Sequence, residues 1–193
     1  MKPFAIAQMV FSALTKPRQH VVVREIPPGR ILDIGGGGEG VIARVGGASV
    51  VAVDRSLSEV QEAQGNAPDA RWLVADAAEL PCKSHCFDHA TAFFSCMYMA
   101  DEVKPKVFRE TWRVLQPGGE FWIWDAEMVP RGQAFAIRLR VDLSEKPAID
   151  TVYGVRAKAQ SAAGLAALLQ EAGFAPEVIT EQKHWFLIKA RRI

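Results

Sequence analysis

The sequence predicts an α/β fold built around a doubly wound, mostly parallel sheet, and three observations support this fold class. An apolar segment at residues 30–34 leads through a run of glycines to a second apolar segment at 49–53, which is the layout of a βαβ unit. Strand and helix patterns then alternate along the chain without an internal repeat. The last two predicted strands, 177–181 and 185–190, are joined by too few residues for a crossover, so we expect them to pair antiparallel.

Five further strands precede this closing pair, so the predicted sheet has seven strands. They are predicted at residues 30–34, 49–53, 71–75, 88–94 and 120–125. The segment 88–94 is largely apolar, which is typical of a central strand that is buried on both faces. With 193 residues and a hydrophobic content of 49%, the chain can bury one substantial core, so we expect a single domain over residues 1–193.

Four helices are placed by their start and stop signals. They are predicted at 39–45, from Ser56 or Ser58 to about 65–66, from Pro105 to Leu115, and at 162–171 after Ser161. Serine is a favoured N-cap, proline suits the first helical turn, and glycine commonly follows the last turn.

The glycine turn predicts a ligand site. Gly35 and Gly37 let the backbone turn sharply and approach a ligand without a Cβ atom, and Asp54 follows the next strand. The spacing Gly35-x-Gly37-x-x-Gly40 also fits a dinucleotide site, but the carboxylate of Asp33 beside the turn would repel a pyrophosphate. S-adenosylmethionine carries a sulfonium and an ammonium group, which a carboxylate suits. A P-loop is not predicted, because no Lys-Ser/Thr pair follows the glycines, and the remaining alternative is a turn that binds no ligand.

Several segments resemble the class I S-adenosylmethionine-dependent methyltransferases in their order along the chain. The matching segments are Asp33-x-Gly35-x-Gly37, Asp54, Ala75-Asp-Ala-Ala-Glu-Leu-Pro81, Phe87-Asp88 and Arg113-Val-Leu-Gln-Pro-Gly-Gly119. The resemblance implies a Rossmann-like sheet with strand order 3-2-1-4-5-7-6, in which the seventh strand is antiparallel. Glu39 stands where many members have a third glycine, which leaves the local shape of the turn open.

The resemblance also implies roles for individual residues. The predicted cofactor-binding residues are Asp33, Gly35, Gly37, Asp54, Arg55, Asp76, Ala77 and Ser95. Asp33 is expected near the ammonium group of the cofactor, directly or through water, and Asp54 at the ribose hydroxyls. Asp76 and the Ala77 backbone are expected at the adenine. The alternative for each carboxylate is a solvated turn or cap residue.

The expected reaction is transfer of a methyl group from the sulfonium to a small-molecule nucleophile, with oxygen, nitrogen, sulfur and carbon acceptors all open. No general base is obligatory, so no catalytic residue is predicted. Tyr98 is a candidate substrate residue, because the segment 95–98 matches the ends of the Asn/Asp/Ser-Pro-Pro-Tyr motif of amino-group methyltransferases. Cys96 and Met97 replace both prolines, which argues against a nucleic-acid base or protein amide as acceptor. The alternative for Tyr98 is ordinary packing.

A substrate cap is predicted at residues 127–156. Apolar and polar residues alternate over 137–143, which predicts a strand, and residues 152–156 can pair with it as a hairpin. Arg140 and Tyr153 are the candidate substrate contacts in this cap. The alternative is a helix or a packing flap that does not touch substrate.

The N-terminal residues 1–29 are predicted to form a helical or lid segment, with an amphipathic helix at 4–14 over the cleft. An export signal is the alternative, although a clear cleavage site is missing, and the apolar stretch is too short to span a bilayer. The formal net charge of +1 gives no sign of nucleic-acid binding. We therefore expect no nucleic-acid or membrane partner, and the oligomeric state is open.

The three cysteines are expected to be reduced thiols in a cytoplasmic protein. Cys82, His85, Cys86 and His89 could suggest a metal site, but their ligand pairs are too close together for a structural zinc site. We therefore predict no metal and interpret these residues as part of a surface loop. Two functional alternatives stay open beside the methyltransferase: an NAD(P)-dependent oxidoreductase, and a non-catalytic S-adenosylmethionine-binding protein.

Overall fold

The computed structural model describes residues 17–129, 134–156 and 158–193, and these contain two β-sheets and four α-helices. The strands are β1 (Gln19–Val23), β2 (Ile31–Ile34), β3 (Val50–Asp54), β4 (Arg71–Val74), β5 (His89–Phe93), β6 (Glu120–Ala126), β7 (Ala134–Leu143), β8 (Ile149–Arg156), β9 (Phe174–Glu181) and β10 (Trp185–Arg192). The helices are α1 (Val41–Gly46), α2 (Leu57–Asn66), α3 (Lys104–Val114) and α4 (Ala162–Glu171), with single 3₁₀ turns at Gly47–Ser49 and Cys96–Tyr98.

The large sheet has seven strands in the order β4-β3-β2-β5-β6-β10-β9. Strands β2 to β6 pair in parallel, and β10 pairs antiparallel with both β6 and β9. The described residues form ten strands, three more than the seven predicted for the main sheet, because β1, β7 and β8 form a second sheet, of which the sequence predicted the hairpin only. When only the strands of the large sheet are numbered along the chain, its order is 3-2-1-4-5-7-6.

The second sheet has the order β1-β7-β8. The predicted hairpin is confirmed: β7 and β8 pair antiparallel, with Ile137 opposite Tyr153. A helical structure for residues 19–23 was wrong, because this segment forms β1 and pairs in parallel with β7. Val21 and Val23 are buried while His20 and Val22 are exposed, a period-two pattern that suits a strand covered on one face. The predicted helix at 4–14 lies outside the described residues.

Two apolar cores lie on opposite faces of the large sheet. One core joins that sheet to α1 and to the buried face of the small sheet, including Ile42, Ile137 and Leu139. The other core joins it to α3 and α4, including Phe108 and Leu169. The small sheet therefore takes the place of a helical layer over part of one face. Among the described residues, no helix is both long and apolar enough to cross a bilayer.

The predicted serine caps are confirmed at two helices. The Ser56 hydroxyl accepts a hydrogen bond from the Glu59 N–H at the start of α2, and the Ser161 hydroxyl accepts one from the Gly164 N–H at the start of α4. These caps fix where α2 and α4 begin. In α2 this point lies directly after the end of β3, at the edge of the sheet that carries the site.

Candidate functional site

A cavity of about 670 Å³ opens at the carboxyl ends of β2, β3, β4 and β5. Strand order reverses between β2 and β5, the position where open α/β sheets bind ligands. The lining includes the predicted residues Gly35, Gly37, Asp54, Arg55, Asp76, Ala77, Ser95, Tyr98 and Tyr153. The volume lies within the range of small-molecule sites. The tertiary structure therefore brings residues separated by more than a hundred positions to one cleft.

The glycine turn after β2 packs tightly against β3 and α2. The N–H of Gly35 donates to the Val53 carbonyl at 2.8 Å, and the φ angle of Gly35 is 69°, in the left-handed region. A Cβ atom at Gly37 would lie 2.6 Å from the Cβ of Glu59 and 2.8 Å from Oδ2 of Asp54. Because a side chain at Gly37 would clash with Glu59 and Asp54, only glycine lets this turn pack closely and form the floor of the cleft.

Asp54 ends β3 and organises both sides of the cleft floor. Its Oδ2 accepts from the Gly37 N–H at 3.3 Å, and its Oδ1 accepts from the Ser56 N–H at 2.9 Å. The side chain is half-buried and lines the cavity. Because an ionised carboxylate offers about four acceptor positions, Asp54 can accept further hydrogen bonds from a ligand.

Asp76 and Ala77 follow β4 and lie on the same side of the cavity as Asp54. Oδ1 of Asp76 accepts from the Ala78 N–H at 2.8 Å, so this carboxylate also caps its own turn. Arg55 lines the cavity with an exposed side chain. These three positions agree with the placement expected from the sequence.

Asp33 does not line the cavity, which argues against the direct contact expected with a cofactor, and a contact through water stays a prediction. Its side chain is 1% exposed, and its Oδ1 accepts from the Thr91 hydroxyl of β5 at 2.8 Å. The pairing of β2 with β5 brings Thr91 next to Asp33 and turns the carboxyl into the interior. Burial raises the pKa of Asp33 to about 7; the Thr91 hydrogen bond opposes this rise and the Asp54 carboxylate adds to it.

Ser95 and Tyr98 line the cavity after β5, but their hydroxyls are already engaged. The Ser95 hydroxyl donates to the Ile34 carbonyl at 2.7 Å. The Tyr98 hydroxyl accepts from the N–H of Gly154 in β8 at 3.1 Å. This second bond ties the segment after β5 to the edge strand of the small sheet, and β8 thereby forms one wall of the cleft.

The two substrate contacts predicted in the cap, Tyr153 and Arg140, lie on opposite faces of the β7-β8 hairpin. Tyr153 lines the cavity and stacks on Phe94, with ring centroids 5.4 Å apart and an interplanar angle of 11°. Arg140 as a substrate contact was wrong: it does not line the cavity and instead pairs with Asp142 and Asp150. Side chains alternate between the faces of a strand, and in β7 the apolar set faces the core, so Arg140 points to the opposite face.

The lining contains acidic residues that sequence reasoning missed. Among the described lining residues, five carry a carboxylate and one carries a cation. The carboxylates are the predicted Asp54 and Asp76 and the missed Glu39, Glu59 and Glu62, and the cation is Arg55. Glu39 also pairs with Arg44 at 3.3 Å. Glu59 and Glu62 lie on the first two turns of α2. In open α/β sheets, the N-terminal ends of helices that follow parallel strands face the edge of the sheet where ligands bind, and this rule could have identified both residues.

A second group of missed residues forms an uncharged wall. It comprises Phe93, Phe94, Met99, Ala100, Val103, Val107, Thr151 and Val152, together with the predicted Tyr98 and Tyr153. Phe93 lies edge-on to Phe94 with centroids 5.0 Å apart. The cavity is thus divided into an acidic part over the glycine turn and an uncharged, partly aromatic part beneath β8.

The cysteines and histidines at residues 82–89, just before and at the start of β5, lie outside this cavity. Cys82 and Cys86 are free thiols, and burial raises the pKa of Cys82 above its usual value. His89 accepts from the Glu120 N–H at 3.1 Å. Within the part of the chain that the structure describes, no cluster of His, Cys, Asp and Glu could hold a metal ion.

Comparison with known proteins connects this site to methyl transfer. A family described as a methyltransferase domain matches residues 32–123. The chain is 32% identical over 111 residues to a ubiquinone/menaquinone biosynthesis C-methyltransferase UbiE of Dinoroseobacter shibae, covering 52% of this chain and 44% of that protein. It is 34% identical over 126 residues to a demethylmenaquinone methyltransferase of Thermus thermophilus, covering 61% and 56% respectively. The chain thus spans about half the length of these relatives.

Comparison with solved structures supports the fold. The PH0226 protein of Pyrococcus horikoshii superposes with a TM-score of 0.64 at 18% identity, over 86% of this chain and 84% of that one. At this level of identity the likeness bears on the arrangement of helices and strands.

Proposed function

We propose that the chain is a class I S-adenosylmethionine-dependent methyltransferase, which transfers a methyl group from S-adenosylmethionine to an uncharged small molecule in this cleft. The observation that carries the proposal is the charge of the cleft, with five carboxylates and one guanidinium on the described lining. Such a lining attracts a cationic sulfonium and disfavours a pyrophosphate. The same charge argues against a dinucleotide cofactor.

The acidic part of the cleft fits the cofactor. Asp54 has acceptor capacity left for two ribose hydroxyls after its bonds to the backbone of Gly37 and Ser56. Asp76 and the backbone of Ala77 lie on the same side of the cavity, where an adenine ring requires an acceptor and a donor. Asp33 contributes through the packing of the turn, since a Cβ atom at Gly36 would lie 2.4 Å from its Oδ2.

The uncharged part of the cleft fits the acceptor. S-adenosylmethionine supplies a methyl group on a cationic sulfur, which is already a good leaving group. The chain's own residues therefore have to bind, align and exclude water, and the aromatic wall of Phe93, Phe94 and Tyr153 is suited to this task. Because the relatives are named for ubiquinone and menaquinone biosynthesis, we include a ring-bearing acceptor such as a quinol in the proposal.

The first test is ligand-dependent stability. S-adenosylmethionine and S-adenosylhomocysteine should each raise the melting temperature, whereas NAD and NADP should not. At a hundredfold excess over the dissociation constant, binding to the native state alone adds about 2.7 kcal/mol of stability. Stabilisation by NAD without a response to either adenosyl compound would refute the proposal.

Turnover is tested by incubating the protein with methyl-labelled S-adenosylmethionine and reduced 1,4-naphthoquinone, benzohydroquinone or catechol. The expected result is S-adenosylhomocysteine formation together with label in an organic-soluble product. A protein that binds the cofactor but never forms S-adenosylhomocysteine with any small-molecule acceptor would fit the non-catalytic alternative. A cytoplasmic location stays a prediction, based on the reduced cysteines.

A further inference from the structure

A buried carboxylate behind the acceptor side of the cleft has no part in the proposed chemistry. Asp125, near the end of β6, has no exposed surface and accepts four hydrogen bonds. Its Oδ2 accepts from the N–H groups of Cys96 and Met97 at 2.8 and 3.3 Å. Its Oδ1 accepts from the Ala126 N–H at 2.8 Å and from Nε2 of Gln160 at 2.7 Å.

Asp125 supplies the cap of the 3₁₀ turn that carries Tyr98. The residue before this turn, Ser95, makes no side-chain cap, since its hydroxyl donates to the Ile34 carbonyl. The first N–H groups of the turn therefore bond to a carboxylate from the neighbouring strand instead. An ionised acceptor makes these bonds stronger than neutral ones.

The segment after β8 holds the same turn from its other side. Gln160 donates both to Asp125 and to the Ala126 carbonyl, at 2.7 and 3.0 Å. The ammonium of Lys158 donates to the carbonyl of Met99, the residue that follows the turn. Tyr98 in turn accepts from the Gly154 N–H of β8. β8 and its following segment are thus joined to the turn at several points.

We propose that Asp125 and Gln160 are positioning residues, which hold Tyr98 and through it the edge of β8 against the acceptor side of the cleft. The inference rests on the proposed function and adds to it the residues that keep the acceptor wall in place. Asp125 acts through the backbone of the 3₁₀ turn, and Gln160 acts through Asp125.

Several ionisable groups face Asp125. They are the Cys96 thiol and the Tyr98 hydroxyl on the 3₁₀ turn and Lys158 after β8, and Lys104 of α3 in turn interacts with Cys96 and Lys158. Burial raises the pKa of Asp125 to about 6, against the effect of its hydrogen bonds. A protonated carboxyl accepts fewer of the four bonds, so the anchor should weaken as the pH falls through this value.

Amide hydrogen exchange of the protein without ligand tests the proposal. In Asp125→Asn, one oxygen becomes an NH₂ group that cannot accept, so the exchange of the Cys96 and Gly154 amides should accelerate about tenfold. The Gly35 amide should keep its wild-type rate. In the wild type, the protection of Gly154 should fall as the pH drops through about 6, and this dependence should disappear in Asp125→Asn.

Three variants complete the test. Tyr98→Phe should release Gly154 to the same extent, and adding Asp125→Asn to it should accelerate Gly154 no further. Glu127→Gln is the matched control, because Glu127 lies near the same strand end but caps α4 by accepting from the Ala162 N–H. If Asp125→Asn does not fold, Gln160→Met should still accelerate Cys96 and Gly154. Wild-type exchange at Gly154, or equal acceleration at Gly35, in the folded variants would overturn the proposal.

Kinetics separate a positioning role from a general loss of stability. With the acceptor that supports turnover, Asp125→Asn should raise the KM for the acceptor severalfold while the Kd for S-adenosylmethionine stays within twofold. A parallel rise of both constants would overturn the proposal. Failure of the proposed function would show instead as a lack of adenosyl-cofactor binding in the wild type, which leaves the exchange test intact.

Discussion

At the scale of single residues, the cleft depends on carboxylates whose roles differ with their burial. Asp54 is half-buried, lines the cleft and also bonds the backbone of Gly37 and Ser56. Asp33 is two residues from the first glycine of the same turn, yet it is turned into the interior and bonded to Thr91. The same type of side chain thus faces the cleft in one position and is an internal packing group in the other.

Replacement of Asp54 tests the ligand role. Asp54→Ala should weaken S-adenosylmethionine binding by about a hundredfold, because two charge-assisted hydrogen bonds of about 1.5 kcal/mol or more each are lost together. Titration calorimetry measures this effect. Asp54→Asn keeps an acceptor and should lose less affinity, and Asp69→Ala, an exposed residue outside the cleft, serves as the control. An unchanged affinity in Asp54→Ala would remove this residue from the site.

At the scale of elements, α2 places two acidic side chains at the cleft, although its sequence pattern indicates another role for one of them. Ser56-Leu-Ser-Glu59 fits a capping box, in which the glutamate would bond back to the N–H of the cap residue. That N–H is instead bonded to Asp54, and Glu59 lines the cleft beside Gly38. The helix therefore directs Glu59 and Glu62 toward the ligand edge of the sheet.

The charge of these two side chains should distinguish substrate from product. S-adenosylmethionine is cationic and S-adenosylhomocysteine is neutral overall. Glu59→Gln with Glu62→Gln should therefore lower the affinity ratio of the two ligands by about three- to tenfold, less at high salt. Calorimetry at two salt concentrations measures the ratio, with exposed Glu171→Gln on α4 as the control. Equal losses for both ligands would exclude this electrostatic selection.

The β7-β8 hairpin is the second element that shapes the cleft, through its edge strand. Tyr153→Ala should reduce turnover or raise the KM for the acceptor about tenfold, since it removes the ring stacked on Phe94, while cofactor affinity changes little. Tyr153→Phe keeps the ring and should retain most activity. Arg140→Ala, on the opposite face of the same hairpin, should behave like the wild type. Equal kinetics in Tyr153→Ala and Arg140→Ala would remove the hairpin from the acceptor site.

At the scale of the whole molecule, two carboxyl groups are buried with raised pKa values. These are Asp33, with a pKa of about 7, and Asp125, with a pKa of about 6, against a usual value of 3.8. Between about pH 4 and these values, the folded protein keeps protons that the unfolded chain has lost. The free energy of unfolding should therefore fall as the pH rises through this window. Above about pH 7, these two groups should cause no further decrease.

Urea denaturation from pH 4.5 to 8 measures this slope. Each unit of pKa difference corresponds to about 1.4 kcal/mol, so the decline should amount to a few kcal/mol in the wild type. Asp33→Asn should flatten the decline, because asparagine keeps the acceptor for Thr91 and carries no titrating proton. Asp69→Asn should leave the slope unchanged. A wild-type slope in Asp33→Asn would show that Asp33 is ionised when folded.

Local chemistry explains which predictions were confirmed. Ser161 before 162–171 predicted the helix with its correct limits, because a cap needs only the residues of its own first turn. The pairing direction of β9 and β10 followed from the length of their connection. Asp54, Asp76 and Tyr153 line the cavity as expected, because residues at strand ends and on one face of a hairpin have positions set by period and connection length.

The sequence alone determined the α/β class, the order of the strands and helices of the large sheet, the glycine turn and the carboxylates that follow β3 and β4. Each of these depends on interactions between residues near one another in the chain. Tertiary structure decided that Asp33 is buried, that Arg140 faces away from the cleft, that residues 19–23 form a strand and that Asp125 caps the turn of Tyr98. The partners in these contacts are Thr91, Asp150, β7 and Cys96, and only packing of the two sheets brings such separated segments together.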